Sequence, residues 1–165
     1  MRPSQLNSAA VRVARAVSHR WTRSIRLAEP AWDALSHELD LWSRRGQQAR
    51  FWWRDDDAGD ASPPLAQLFD LRKSFGLPLA IAVVPAAATE RLAETLRQVA
   101  AVAVLQHGWN HENHAPANRP RAEFADGRNG QDVAFDLSRG RMKLLSLFGA
   151  TFLPALVPPF NFLAR

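Results

Sequence analysis

The stretch Phe51-Trp52-Trp53-Arg54-Asp55-Asp56-Asp57 joins two kinds of chain. Phe51 to Trp53 is an aromatic run of high β propensity, and it predicts a short buried strand. Three consecutive carboxylates follow it, then Ala58-Gly59. Adjacent like charges repel, and burying them is costly. A strand that ends in such a group commonly has a cation to put there. The alternative is a solvated acidic turn. Residues further along the chain bear on the choice.

Upstream, Trp32, Leu35, Leu39 and Trp42 recur at helical spacing after Pro30, with Arg44 and Arg45 in the last turn and Gly46 as C-cap. Downstream, Asp55 to Pro64 reads as loop. Ser62 is placed to cap a helix with Pro63 at its first position. Leu65, Leu68, Phe69, Leu71 and Phe75 form the apolar side of that helix, which stops at Gly76. Leu79 to Val84 is a continuous apolar run between Pro78 and Pro85, the pattern of a strand buried on both faces. Thr89 caps a further helix with Leu92, Leu96 and Val99 as its stripe. Val102 to Leu105 is the next strand. Gln106 to Asn129 is polar, without periodicity, and too long for a mere connector. A helical pattern from about Gln131 to Phe148 ends at Gly149, and Phe152 to Val157 is a last strand, interrupted by Pro154.

Apolar strands alternating with amphipathic helices predict an α/β fold with a parallel sheet. The polar clusters fall after strands: Arg54 to Asp57, His107 to His114, and Pro158 to Asn161. In barrels and open α/β sheets that edge carries the active site.

The 165 residues suffice for one domain with a real core. Hydrophobic residues at 47% and charged residues at 22% are ordinary for a globular chain. Cysteine is absent, which excludes disulfide frameworks and Cys-based zinc sites, so a metal must use His, Asp or Glu. That usage suits a reducing compartment, and a cytoplasmic location is expected. The net charge of +5 is uneven: residues 1–28 carry six Arg and no acid. This segment predicts a poorly ordered basic extension, although its composition also resembles an organellar transit peptide. No run is long and apolar enough to predict a membrane span.

His107-Gly108-Trp109-Asn110-His111 places two imidazoles at i and i+4, which on a helical turn lie on one face. Of five His in the chain, three lie between 107 and 114. A zincin helix does not fit, because His111 and His114 are three apart and no Glu takes the required offset. Two His and one carboxylate with open positions suit a catalytic divalent ion that acidifies water and polarises a carbonyl. A second carboxylate outside the ligand set can then act as general base.

These residues resemble the first three motifs of the polysaccharide deacetylases, the NodB-homology or carbohydrate esterase family 4 enzymes. The wording Trp-Trp-Arg-Asp-Asp-Asp-Ala, Leu-Gln-His-Gly-Trp-x-His-x-Asn-His-Ala-Pro and Val-Pro-Pro-Phe-Asn carries the likeness, which covers about Trp32 to the end. The resemblance implies a (β/α) barrel and a metal-dependent hydrolase of N-acetyl groups on amino sugars. Residue by residue, it implies Asp56 as catalytic base. It implies Asp57, His107 and His111 as ligands of a divalent metal, with zinc expected and cobalt or another transition metal as alternatives. The backbone N–H of Phe160 corresponds to the oxyanion donor. Arg54, Trp109, His114 and Asn161 are candidates for lining the substrate cleft, with a structural role open for Trp109 and His114. Asp55 has no family role.

The chain departs from the family in two ways. Val157 stands where the family has an Arg that orients the base, with Arg54 available to substitute. The last two motifs, including the His that acts as general acid, are expected beyond Arg165. On this likeness the sequence holds about half of the barrel strands, as a C-terminally truncated member, and an unpaired sheet edge after Phe152–Val157 predicts self-association. The expected partner is an N-acetylated saccharide. Two other readings stand beside it: a non-catalytic remnant that binds metal or glycan, and a binder of nucleic acid or anionic surfaces through the Arg-rich segment. The last is the weakest, because basic and aromatic residues are not interleaved there.

Overall fold

The computed structural model describes residues 29–163, with side chains from 32 onward. The expectation for residues 1–28 lies outside them. The chain divides into two compact units between Phe51 and Trp52. The first holds helix α1, Glu29–Arg44, after which Gly46 takes a left-handed conformation at φ 70°.

The second unit is a four-stranded parallel sheet in the order β1 (Arg54–Ala58), β2 (Leu79–Val83), β3 (Val102–His107) and β4 (Phe152–Val157). Each crossover carries one α-helix: α2 (Pro63–Phe75), α3 (Glu90–Arg97) and α4 (Gly130–Phe148). Local chemistry sets their starts. The Ser62 side chain accepts from Leu65 N–H, Thr89 from Leu92 N–H and Asn129 from Gln131 N–H, each satisfying an orphan amide of the first turn. No described helix is long and apolar enough to cross a membrane.

The two faces of the sheet differ. Leu79, Ile81 and Val83 of β2, Val104 of β3 and Phe152 of β4 share one buried cluster with Leu65 and Leu68 of α2, Leu92 and Leu96 of α3, and Leu144 and Phe148 of α4. All three crossover helices therefore cover the same face. The opposite face has its own smaller cluster, Ala80, Ala82, Leu105 and Val157, made of strand residues alone.

The first strand is not where the aromatic run predicted it. Phe51 and Trp52 are 64% and 67% exposed. The Trp53 carbonyl accepts from Ala80 N–H, and the strand proper is Arg54–Ala58, so the acidic triplet lies within β1 rather than in a loop after it. Main-chain pairing with β2 overrides the low β propensity of aspartate here. Asp57, at φ 69°, lies in an irregularity of that pairing between Asp55 and Ala58. Likewise Gln106 and His107 belong to β3 and are buried, so the irregular segment starts at Gly108. Pro154 does not break β4. It falls where the β3–β4 register shifts, on a strand paired on one side among the described residues, which is where a residue without an N–H is tolerated.

Candidate metal centre

His107 is the last residue of β3, and its side chain is 3% exposed. Its Nδ1 lies 2.9 Å from the Val157 carbonyl oxygen on β4. A carbonyl only accepts, so Nδ1 carries the proton and donates. Nε2 points the other way and lies 3.0 Å from Asp57 Oδ1. His111 Nε2 lies 3.1 Å from the same oxygen. The three ligand atoms all fall within 4.8 Å of one another. Asp57, His107 and His111 thus come together from β1 and from the end and exit of β3.

The route to that convergence differs from the sequence expectation. Residues 108–111 form no helical turn. Gly108 and His111 take left-handed conformations at φ 60° and 59°. The turn closes on Glu123, a fully buried side chain that spacing and motif did not single out. Its Oε1 accepts from Trp109 N–H at 2.6 Å and Asn110 N–H at 3.3 Å, and its Oε2 from His111 N–H at 2.9 Å. The one available signal was a single acid inside the apolar run Ala122, Phe124 and Ala125, all buried, within an otherwise polar segment.

The donor set suits a divalent cation. Two ligands each about 2.1 Å from a tetrahedral zinc lie about 3.4 Å apart, close to the Asp57–imidazole spacings. With Nδ1–H donated to Val157, His107 has Nε2 left to face the Asp57 carboxylate oxygen, and in neutral imidazole that nitrogen is an acceptor. Two acceptors facing each other at that distance require a positive charge between them, a second proton or a metal ion. Asp57 is 66% exposed, so the site is open to solvent on that side.

Asp56 is not a member of the ligand group. Its carboxylate accepts from Arg54 Nε at 2.6 Å and Nη2 at 2.9 Å, a bidentate pair. Arg54 Nη2 also reaches Asn161 Oδ1 at 3.5 Å. Asp55 is half-buried, and burial pushes its carboxyl up, with the charges of Asp56 and Asp57 adding to the effect.

After β4, the short turn Pro159–Asn161 places Phe160 and Asn161 at φ 58° and 53°. The Phe160 ring packs on His111 with centroids 4.3 Å apart, and the Arg121 guanidinium lies 4.2 Å over its ring. The hydrogen bonds of the turn run from Asn161 N–H to Pro158 and from Phe162 N–H to Pro159, and neither uses the Phe160 N–H. Trp109 has the Arg139 guanidinium 3.7 Å over its ring, and Arg139 pairs with the buried Asp136 at 2.6 Å. That face of Trp109 is therefore occupied from α4. His114 is exposed and lies outside the ligand group, with its backbone N–H bonded to Ala122. A cavity of about 550 Å³ bounded by Arg119, Asp126, Phe162 and Leu163 includes none of the three candidate ligands.

No family model, no curated protein and no solved structure matches the chain.

Proposed function

We propose that the chain is a metal-dependent hydrolase of the polysaccharide deacetylase type, acting on the N-acetyl groups of amino sugars. The observation that carries this reading is the Asp57–His107–His111 group at the C-terminal edge of a parallel sheet, with the arginine-held carboxylate of Asp56 on the residue before Asp57. Sheet topology supports a partial (β/α) barrel. The strand order runs in sequence without the reversal that marks a doubly wound sheet. The helices share one face, as on the outside of a barrel, and the small strand cluster opposite corresponds to its interior.

In this reading Asp57, His107 and His111 hold a divalent cation, zinc by preference for imidazole with carboxylate. When bound, the ion supplies Lewis acidity toward a carbonyl and lowers the pKa of water. The chain's own residues do the rest. His107 keeps its Nδ1 proton on Val157, leaving Nε2 free to ligate. Asp56 takes the proton from the attacking water, and Arg54 holds both carboxylate oxygens in place, the part that the family assigns to an Arg where this chain has Val157. The Phe160 N–H, unused by its own turn, is the oxyanion donor. Arg54 and Asn161 border the cleft that receives the sugar.

The test is acetate release from N-acetylated chito-oligosaccharides by the zinc-loaded chain, with metal binding followed by calorimetry. Asp56→Asn should abolish that release and leave zinc affinity within a few-fold. Absence of zinc binding, or release indifferent to Asp56→Asn, refutes the reading.

A further inference from the structure

We infer that Glu123 is the positioning residue of this centre: its buried carboxylate sets where His111 presents Nε2, and thereby how tightly the site holds a divalent cation. The inference rests on the metal site proposed above.

The two histidines are held by different means. His107 is oriented through its own ring, by the Nδ1–H bond to Val157. Metal-binding histidines almost always have such a bond from the second ring nitrogen. Among the described residues, no hydrogen bond involves His111 Nδ1. What fixes His111 is its main chain, in a left-handed conformation that non-glycine residues seldom adopt. That conformation is pinned by the His111 N–H bond to Glu123 Oε2, and the ring then rests on Phe160. Glu123 thus does at one remove what Val157 does directly for His107.

The three successive N–H groups of Trp109, Asn110 and His111 converge on Glu123 alone. Convergent backbone amides of this kind bind anions, and here the anion is built into the chain. Burying a carboxylate with no hydrogen-bond partners is strongly unfavourable, so the turn and Glu123 stabilise each other. There is little room for the carboxylate to shift: a Cβ on Gly108 would lie 2.3 Å from Glu123 Oε2 and 2.5 Å from Pro159 Cγ.

The experiment uses the full chain, titrated with zinc by calorimetry and with cobalt by visible absorption. Glu123→Gln replaces one acceptor by a donor amide that faces the same N–H groups. It should weaken zinc binding about 10–100-fold, the usual cost of losing an outer partner of a metal ligand, and alter the cobalt bands. Leu92→Ala, remote from the turn in the helix-side core, should lower the thermal midpoint with zinc affinity and cobalt bands unchanged. A folded Glu123→Gln chain with wild-type zinc affinity and wild-type cobalt bands overturns the inference while leaving the metal reading intact. A wild-type chain that binds no zinc overturns the metal reading and this inference with it. A measurement on the wild-type chain covers the case in which Glu123→Gln does not fold. The Trp109 and His111 amides, although in an irregular segment, should exchange with solvent far more slowly than the amide of exposed Asn113; equal rates would overturn the inference.

Discussion

Gly108→Ala is a severe test of the turn below the candidate ligands, and a second glycine provides its control. Gly108 sits at φ 60°, and an added methyl would meet Glu123 Oε2 at 2.3 Å, Pro159 Cγ at 2.5 Å and Glu123 Cδ at 2.8 Å. Gly76, the C-cap of α2, has nearly the same φ of 63° and nothing within 4 Å of the corresponding position. Both substitutions incur the left-handed penalty for an L-residue, about 1–2 kcal/mol. Only Gly108→Ala also overpacks a closed site, which typically costs about 1–3 kcal/mol more because Glu123 is fully buried and Pro159 is rigid. The expected losses are about 1–2 kcal/mol for Gly76→Ala and about 2–5 kcal/mol for Gly108→Ala. Urea unfolding followed by tryptophan fluorescence measures both. With a denaturant slope of about 1–3 kcal/mol per molar, a loss near 3 kcal/mol lowers the midpoint by about 1–3 M. If the two variants agree within about 0.5 kcal/mol, the scatter of ordinary surface substitutions, the packing described around Glu123 is wrong.

Asp60 offers a pH test. Hydrogen bonds from Arg91, then from Thr89, hold its carboxyl well below the ordinary value of 3.8. A depressed folded-state pKa gives stability that is present above the unfolded value and is lost as pH falls below it. The stability gap between wild type and Asp60→Asn should therefore be full at neutral pH and close below pH 3.8, read by thermal unfolding across pH; a gap that widens in acid contradicts the assignment. Leu144→Ala, at a fully buried position of α4, should cost about 2–5 kcal/mol in urea unfolding with zinc affinity unchanged, and a tenfold loss of affinity would show that the helix-side core and the centre are coupled.

Much of this fold was visible in the sequence because its signals are local. Leu79–Val83 reads as buried on both faces, and it is. Ser62, Thr89 and Gly76 mark helix ends that the backbone confirms. β1 was misplaced because its identity is not local: Arg-Asp-Asp-Asp-Ala has no strand propensity, and it is a strand because β2 lies beside it. That two histidines and an aspartate would meet was legible from residue type, and the resemblance implied Asp57 as that aspartate. The way His111 arrives there was not, since a left-handed turn leaves no periodic trace. Glu123 was harder still, because its partners are main-chain amides 12 to 14 residues earlier, and amides carry no residue identity.

Five non-glycine residues of the described chain have left-handed backbones, and four of them, Asp57, His111, Phe160 and Asn161, lie on the edge that holds the candidate centre. The fifth, Ala101, precedes β3 at the opposite end. Each such residue costs of order 1–3 kcal/mol, against a total of about 5–15 kcal/mol for an ordinary domain. A selection for thermostability that is blind to chemistry would therefore reward glycine at all five positions. At Ala101 the exchange gives up no candidate group. At Asp57 and His111 it erases a candidate ligand, so heat-selected libraries of this chain should drift toward stable proteins with empty edges. Directed improvement has to hold that edge constant and look for gains elsewhere.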